Sequence, residues 1–384
     1  MTRTLFLHSD VQDPYTGYQE MLAQYPVYWD EANMLWAVYS YETCKEMLDN
    51  DHMQIPVINK DNKDGLNEHA LLISNHLVRL SNGIEHAITR LVAMRLYEKM
   101  KLIAIDKLTE KLLEINHAAQ ETDWVETIGK KLPVLTVLKS LDFTDKDAAI
   151  ICANITKLVK IMLPNKTAEQ VKEINTISKD IYRLVESHLL SSHLFEPVID
   201  NKSEQYKIEA DKMLVLWVCN CIGLMIQSYD AGRGILSNAL LQVLNNQRQA
   251  VTKDHLYKSV TETLRYDPPV HNTRRVAAND IMLDQITIKK GDAVLLVLAA
   301  ANRDPLQFNQ PNRYDIKRPN NNEHLTFGSG AHNCVASHFA VNLAVESLYY
   351  LFNRYTNVRL IEHTIAYEPL ANVRLPKSLL ISFS

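Results

Sequence analysis

Residues 327–334 read Phe-Gly-Ser-Gly-Ala-His-Asn-Cys, and this octet says more about the chain than any other stretch. Glycine accounts for only 10 of the 384 residues, yet Gly328 and Gly330 stand one residue apart just before Cys334. Glycine lets the backbone adopt positive φ or pass close to a ligand. The octet therefore predicts a tight loop that holds the Cys334 sulfur against something flat and large, rather than one more buried, inert cysteine.

The octet resembles the haem-binding loop of the cytochrome P450 family, F-G-x-G-x-H-x-C. The resemblance implies that Cys334 is the axial thiolate ligand of the iron of haem b, that Phe327 packs over the sulfur and that His332 reaches a haem propionate. An axial thiolate pushes electron density onto the iron and favours cleavage of a bound O–O bond. The family usually continues C-x-G-x-x-L-A, whereas this chain has Ala336 and Phe339 at the glycine and leucine positions. These departures concern packing and not ligation, so the haem assignment stands.

Size, composition and charge are ordinary for a soluble globular protein. The chain has 384 residues, of which 46% are apolar and 22% are charged. Its net charge of −4 argues against a nucleic-acid binder, which normally carries a basic excess. No internal repeat and no Pro/Gly/Ser-rich linker divides the chain, so we expect residues 1–384 to form a single domain.

The sequence also predicts where the protein resides. Residues 1–28 carry no apolar run, so we expect neither a signal peptide nor a membrane anchor. The longest apolar stretch, Met213 to Ile226, is short of a bilayer span and indicates a core helix. The five cysteines are odd in number and show no disulfide or zinc spacing, which favours a cytoplasmic location.

Hydrophobic patterning predicts a short β-hairpin followed by a long helical region. The aromatic and branched residues of 26–39 favour the hairpin. Helical periodicity then dominates from about residue 85 to residue 247, with helix starts at Thr144 and Thr167 and a break at Pro164.

Further strands are predicted towards the C-terminus. One strand is expected over 281–288 and another over 294–298, joined by a turn at 289–292, and a last strand pair in the tail ends at 378–383. The pattern is that of a mainly α protein with a minor β region. It agrees with the fold that the resemblance implies, the cytochrome P450 fold, a triangular helical prism around a buried haem.

A charged trio upstream of the octet also matches the family. Glu262 and Arg265 are three residues apart on one helical face, and Tyr266-Asp267-Pro268-Pro269 ends that helix. An isolated pair of this kind is usually a solvated surface ion pair of little energetic value. The family keeps such a pair buried together with a second arginine, for which Arg318 stands at the matching place. The resemblance therefore implies a structural triad and not a catalytic one.

Haem carries two propionates, and burying them requires cationic or hydrogen-bond donor partners. The resemblance supplies them at three places. His86 and Arg90 lie four residues apart on one helical face, Arg275 heads a segment that resembles a propionate-binding strand, and His332 belongs to the octet. Arg274 competes with Arg275, because a slip of one residue in a strand exchanges the two faces.

The chain departs from the family in the helix predicted over Lys207 to Asn246. Most members carry A-G-x-[DE]-T there, and its acid and threonine feed protons to dioxygen. Here Asp230 takes the acid position, but Ala231 replaces the threonine. The absence does not depend on the alignment register, since no threonine occurs anywhere in 203–251.

Three groups could substitute for the missing hydroxyl. The substrate could bring its own hydroxyl or carboxylate, which is the hypothesis we favour. Gln227 lies one helical turn before Ala231 on the same face, and Ser228 could hold a water molecule. The plainer alternative is that Gln227 only points along the groove and Ala231 is a small packing residue.

The resemblance also implies partners. No flavin- or nicotinamide-binding region is fused to the chain, so electrons are expected from a separate ferredoxin or flavodoxin with its reductase. Arg95, Lys99 and Lys101 are candidates for docking that acidic carrier, although a solvated helix face is the ordinary interpretation of such residues.

Three functions remain open. The first is a haem-thiolate monooxygenase that uses O₂ to hydroxylate or otherwise oxidise an apolar small molecule, a specialised metabolite that is free or bound to a carrier protein. The second is a peroxide-driven or oxidative-coupling enzyme, which the missing threonine suggests. The third is a non-catalytic haem binder.

Overall fold

The computed structural model describes residues 4–57, 65–114, 121–197, 208–246, 251–362 and 364–384. Its α-helices are α1 Tyr15–Gln24, α2 Tyr41–Asp49, α3 Glu68–Asn75, α4 Gly83–Glu98, α5 Ile105–Glu114, α6 Leu132–Ser140, α7 Asp145–Leu158, α8 Ala168–Ser191, α9 Ala210–Asn246, α10 Lys253–Tyr266, α11 Leu298–Ala301 and α12 Ser337–Arg354. Its strands are β1 Val27–Asp30, β2 Leu35–Val38, β3 Met53–Gln54, β4 Glu121–Asp123, β5 Thr273–Ala277, β6 Ile281–Leu283, β7 Ile286–Ile288, β8 Ala293–Leu296, β9 Arg359–Leu360 and β10 Leu380–Ser382. The predicted fold class, mainly α with a minor β region, is confirmed.

The described residues divide into two compact units. The first comprises 1–54, 105–130 and 231–384, and the second comprises 55–104 and 131–230. Every strand given above belongs to the first unit. The single domain predicted for residues 1–384 stays a prediction.

A five-stranded sheet in the order β1-β2-β8-β5-β3 organises part of the first unit. The predicted hairpin forms its edge, with Val27 opposite Val38 and Asp30 opposite Leu35. Asp30 closes the hairpin by accepting hydrogen bonds from the backbone and side-chain nitrogens of Asn33, at 3.1 and 2.8 Å. Strand β8 runs parallel to β2 and antiparallel to β5.

The C-terminal strands differ in part from the prediction. The segment 281–288 is not one strand but the hairpin β6–β7, because Asp284 takes a left-handed turn with a φ of 49°. Aspartate tolerates that region better than most residues. The predicted turn at 289–292 is present, with Gly291 at a φ of +93°. Leu298 belongs to helix α11 rather than to a strand.

The C-terminal tail contributes strand β10, as predicted. It pairs with β9 and also with the distant β4, so that the sheet order is β4-β10-β9. In the same unit α10 packs against α12, and α12 packs against α5.

Helices α3, α4, α6, α7 and α8 belong to the second unit, together with α9 as far as Asp230. Both predicted helix starts are confirmed: the hydroxyl of Thr144 caps α7, and Thr167 forms a capping box with Gln170 at the start of α8. Pro164 lies in the break before α8, as predicted. Helix α9 is described as far as Asn246, its predicted last residue, while Lys207, its predicted first residue, lies outside the described residues.

Candidate active site

The cysteine loop, residues 327–334, is a tight turn that ends on the thiol. Gly328 and Gly330 have φ values of +71° and +65°, which L side chains rarely adopt. The Cys334 amide donates a hydrogen bond to the Phe327 carbonyl at 2.8 Å, so the two ends of the loop lie together. His332 closes a single 3₁₀ turn that starts at Gly330. The structure thus brings Phe327, His332 and Cys334 into one loop, as predicted.

Gly330 is required for its conformation and also for space. A Cβ atom at this position would lie 2.6 Å from the Leu48 carbonyl oxygen and 3.0 Å from the Asp49 Cα. The loop backbone therefore rests directly on the last turn of helix α2.

Cys334 differs from the other cysteines in its exposure. Cys44, Cys219 and Cys221 are buried, whereas Cys334 is exposed. Burial raises the pKa of the Cys44 and Cys219 thiols, and raises that of Cys221 to about 12. A buried thiol of this kind stays protonated and inert, so Cys334 is the thiol best placed to bind a metal.

The predicted triad is present and buried. The guanidinium of Arg265 donates two hydrogen bonds to the Glu262 carboxylate, at 2.9 and 2.7 Å, and neither side chain is exposed to solvent. Arg318 contacts the same carboxylate at 3.4 Å, and the Asp315 amide donates to it at 2.9 Å. Glu262 thus fixes helix α10 to the segment that leads towards the cysteine loop.

Asn302 and Thr326 extend this network to the loop itself, and sequence reasoning missed both. The Leu325 amide donates to the Asn302 side-chain oxygen at 2.7 Å, and the Thr326 hydroxyl donates to the Leu264 carbonyl at 2.6 Å. Both side chains are buried. The local sequence pattern gives no signal for these contacts, because the two hydrogen bonds join residues 23 and 62 positions apart.

The burial pattern of β5 separates the two competing arginines. Arg275 is buried, with 4% of its surface exposed, whereas Arg274 faces solvent. Arg275 donates hydrogen bonds to the Thr273 hydroxyl and to the Arg274 carbonyl, both at 2.9 Å. Of the two, Arg275 is the residue whose guanidinium points away from bulk water.

His86 and Arg90 lie together on helix α4 of the second unit. The His86 side chain is buried and that of Arg90 is partly buried. Burial, and then the positive charge of Arg90, lower the pKa of His86. The imidazole is therefore neutral near pH 7 and can donate one hydrogen bond without carrying a charge.

Where α9 departs from the family pattern, one face of the helix is not buried. Between residues 216 and 243, the positions that are not buried are Leu224, Gln227, Ser228, Asp230 and Ala231. Four of them, at 224, 227, 228 and 231, have the spacing of a single helical face. Ala231, at the predicted threonine position, is exposed.

The two side chains proposed as proton donors already make hydrogen bonds. Gln227 donates from its amide nitrogen to the Gly223 carbonyl at 3.1 Å, and the Ser228 hydroxyl donates to the Met225 carbonyl at 2.9 Å. A serine has one O–H, which is used here, whereas a glutamine amide has a second N–H. Gln227 is accordingly better equipped than Ser228 to donate to a further group.

Comparisons with known proteins agree on one family. The family model described as "Cytochrome P450" matches residues 241–345, a range that holds the triad, Arg275 and the cysteine loop. The biotin biosynthesis cytochrome P450 of Bacillus subtilis (strain 168) is 26% identical, covering 97% of each chain. The crystal structure of CalO2 superposes with a TM-score of 0.85 at 21% identity, covering 100% of this chain and 99% of that one. The chain is a bacterial-type cytochrome P450.

A third comparison concerns a complex. The crystal structure of P450BioI bound to acyl carrier protein ligated with hexadec-9Z-enoic acid superposes with a TM-score of 0.79 at 22% identity. It covers 97% of this cytochrome P450 and 98% of that chain. These likenesses confirm the predicted cytochrome P450 fold.

This cytochrome P450 is a monooxygenase, an oxidoreductase whose cofactor is haem b. Membership of the family implies O₂ as a substrate and a redox partner as the electron source. The residues present fit the cofactor, because an exposed thiol at the end of a glycine-shaped loop suits an axial ligand and a buried guanidinium suits a propionate. The non-catalytic haem binder is therefore set aside.

The cations predicted to dock the redox partner are each paired with an acid. Arg95 pairs with Glu98 at 2.9 Å, and Lys99 pairs with Glu196 at 2.7 Å. Lys101 pairs with the carboxylate of Asp142. These pairs neutralise much of the local positive charge, and the docking role stays a prediction.

One described helix of this cytochrome P450, α9, is long and apolar enough to cross a membrane by length and composition. Of its most apolar stretch, 61% is buried inside the protein. The core helix that the sequence predicted over Met213 to Ile226 accounts for this apolar character.

Proposed function

We propose that residues 1–384 form a single haem-thiolate monooxygenase domain in which Cys334 is the axial ligand. The observation that carries the proposal is the exposed Cys334 thiol at the end of a loop closed by its own amide on the Phe327 carbonyl. When haem is bound, its iron supplies the dioxygen chemistry, and thiolate donation favours cleavage of the O–O bond. The loop's part is to hold the sulfur in place, with Phe327 packed over it.

Arg275, His332, His86 and Arg90 are proposed to hold the two propionates. The burial of Arg275 supports this role, because a guanidinium out of bulk water forms stronger hydrogen bonds with a carboxylate. His86 contributes an imidazole donor, and Arg90 supplies a positive charge on the same helical face.

Proton delivery is proposed to be atypical. Asp230 is the acid of the dioxygen helix, and Ala231 leaves the place of the usual hydroxyl open. A hydroxyl or carboxylate of the substrate is proposed to occupy that place. Gln227 is the second candidate and Ser228 the third, because the Ser228 proton is already donated to Met225.

The substrate is proposed to be an apolar small molecule with a polar handle, a specialised metabolite. On the face of α9 that is not buried, Leu224 is apolar, and Gln227 and Ser228 contribute an amide and a hydroxyl. P450BioI was crystallised with a long acyl chain carried on acyl carrier protein, which supports testing carrier-bound as well as free acyl substrates.

A screen for low-to-high spin shifts in the visible spectrum of the purified holoenzyme tests the substrate proposal. The library includes free long-chain acids and the same acyl groups on acyl carrier protein. A shift by an apolar compound supports the proposal, and a shift only by small polar compounds contradicts it.

A peroxide-driven or oxidative-coupling enzyme is the second candidate, favoured by the absence of threonine from 203–251. Product formation is compared with hydrogen peroxide and with a ferredoxin or flavodoxin plus reductase. Turnover that requires the reductase pair supports the monooxygenase with a separate electron carrier. Turnover with peroxide alone supports the second candidate.

A cytoplasmic location is proposed from the cysteine content. None of the five cysteines forms a disulfide. Cell fractionation checks this proposal, and recovery of the protein in a membrane or extracellular fraction would contradict it.

A further inference from the structure

Helix α2 contacts the middle of the cysteine loop through two neighbouring residues. The Ser329 hydroxyl donates a hydrogen bond to the Asp49 carboxylate, and the Gly330 backbone packs against Leu48 and Asp49. Asp49 also pairs with Lys45, one turn earlier on α2, at 3.1 Å. The loop is therefore attached to a helix that is remote in sequence.

Helix α2 is itself firmly held. Cys44 and Met47 are completely buried in a core cluster of the first unit. The Tyr41 amide donates to the Asp304 carboxylate at 2.9 Å, and the Tyr41 hydroxyl donates to the Glu323 carbonyl at 2.7 Å. The helix is thus a fixed support against which a flexible loop can be positioned.

Backbone hydrogen bonds fix the two ends of the loop, and the Asn333 amide donates to the Gly330 carbonyl at 3.1 Å within its 3₁₀ turn, so that Ser329 is the residue between these bonds. Gly328 donates to Leu325 at 2.8 Å before the turn, and Cys334 donates to Phe327 at 2.8 Å after it. Gly330 must be held at a positive φ out of the large conformational freedom of glycine, whereas its neighbour Ser329 is extended. A side-chain bond from Ser329 to a fixed acceptor reduces that freedom.

We propose that Asp49 is a positioning residue for the thiolate. By holding Ser329, it keeps the 330–334 backbone in the one conformation that presents the Cys334 sulfur for ligation. This inference rests on the proposed ligand role of Cys334. Asp49 acts through the loop and does not touch the reacting atoms.

The protonation state of Asp49 suits this role. Partial burial raises the pKa of Asp49, but the hydrogen bonds from Ser329 and Lys45 and the charge of Lys45 outweigh it, so that the pKa lies below its usual value. The carboxylate is ionised at neutral pH and its hydrogen bond is charge-assisted. The Asp49 side chain is 38% exposed, so solvent screening weakens its electrostatic interactions with Ser329 and Lys45.

The experiment compares Asp49→Ala, Ser329→Ala, their double variant and Asp49→Asn in the haem-loaded full chain. The readout is the rate at which the ferrous carbon-monoxide complex loses its red-shifted thiolate Soret band in sub-denaturing urea. We expect each alanine variant to lose the band about threefold to tenfold faster, the range of one partly exposed hydrogen bond. The double variant is expected to be no worse than either single one, and Asp49→Asn, which keeps an acceptor oxygen, to recover at least about half of the loss.

Lys258→Ala is the matched control. It removes another exposed i,i+4 ion pair of the first unit, with Asp254 at 2.7 Å, and is expected to leave the rate unchanged. Far-UV circular dichroism is recorded in parallel. A positioning role predicts that the thiolate band is lost at a lower urea concentration than the helical signal.

The proposal is overturned if the two alanine variants match the control, if Asp49→Asn behaves like Asp49→Ala, or if the thiolate band and the helical signal are lost together. Should Asp49→Ala fail to fold, Ser329→Ala gives the same decision. A Cys334→Ser variant that kept the thiolate band would overturn the ligand assignment instead, so the two failures are distinguishable.

Discussion

The cysteine loop and the Gln227–Ala231 stretch of helix α9 illustrate two kinds of functional sequence. In the loop the family pattern is intact, and the matching residues have geometric roles, because two glycines take positive φ and Cys334 closes the turn on Phe327. In the α9 stretch the helix is regular, but Gln227, Ser228 and Ala231 depart from the family pattern and the threonine hydroxyl is lost. The backbone of the loop depends on its sequence, whereas the backbone of α9 does not.

This difference shows where the sequence can change without loss of the fold. A change at Gly330 would drive a Cβ into the Leu48 carbonyl, so the loop tolerates few alternatives. Ala231 is exposed on a helix that any good helix former can continue, so a hydroxyl can be lost there without harm to the fold. The loop residues are thus constrained by backbone geometry and space, whereas the side chain at position 231 is not.

The largest expected effect comes from Cys334→Ser. Serine is close in size but is a poor ligand for the iron, so we expect loss of the red-shifted Soret band of the ferrous carbon-monoxide complex and monooxygenase turnover below detection. Optical spectra and product analysis measure both. Cys152→Ser is the control and should leave both unchanged, because Cys152 lies on α7, away from the loop in sequence. Pigment and turnover retained in Cys334→Ser would contradict the assignment.

Glu262→Gln tests the structural side of the same region. Removing the charge leaves Arg265 and Arg318 buried without their anion, and breaking a buried ion pair costs about 3–5 kcal/mol of unfolding free energy. Urea denaturation followed by circular dichroism measures the loss. Asp254→Asn removes an exposed pair on the same helix and should cost less than about 1 kcal/mol. A cost for Glu262→Gln as small as that of the control would show that the triad is not a structural centre.

The sequence predicted the local features of this site well. The octet predicted the loop and its two glycines at positive φ, because those features depend on neighbouring residues. The triad followed from the resemblance to the family, which implied that Arg318 joins the Glu262–Arg265 pair. The helix starts at Thr144 and Thr167 followed from side-chain capping, which acts over three residues.

Features that depend on distant contacts were not predictable. The sequence could not say that Ser329 meets Asp49, since 280 positions separate them. It named Arg275 but could not exclude Arg274, because which face of β5 is buried depends on what packs against the sheet. The strand predicted over 281–288 was wrong because a turn at Asp284 cannot be distinguished from a strand by hydrophobicity alone.

Comparison of Arg275→Ala with Arg274→Ala sharpens the assignment of the propionate partners. Loss of a charge-assisted hydrogen bond to a carboxylate costs about 1.5–3 kcal/mol, so we expect Arg275→Ala to release haem about tenfold to a hundredfold faster. Transfer of haem to an excess of a haem-scavenging globin measures the rate. Arg274→Ala, on the exposed face, should change it less than about threefold. Equal effects, or a larger effect at Arg274, would contradict the assignment of Arg275.

A smaller effect is expected from Gln227→Ala. A positioned proton donor typically contributes on the order of 10²–10⁴ in rate. If the substrate supplies the hydroxyl, removing the Gln227 amide should change the ratio of product formed to electrons consumed less than about twofold. Ser228→Ala is the matched control one residue away, with its hydroxyl already donated to Met225. A drop of tenfold or more in Gln227→Ala alone would assign the donor to Gln227 and reject substrate assistance.

The smallest effect is expected from Ala231→Thr, which restores the hydroxyl that most family members have. Ala231 is exposed, so the larger side chain should fit at a cost of less than about 1 kcal/mol from the lower helix propensity of threonine. In a helix the new hydroxyl can bond to the carbonyl one turn earlier, and it competes for the place proposed for the substrate's own polar group. The ratio of product formed to electrons consumed should therefore stay within about twofold of that of the unsubstituted enzyme, or decrease. Ala231→Val, which matches threonine in shape without a hydroxyl, separates the effect of volume from that of the hydroxyl. A tenfold or larger increase in this ratio with threonine but not with valine would contradict substrate assistance. It would show that α9 lacks a proton donor and that the substrate does not supply one.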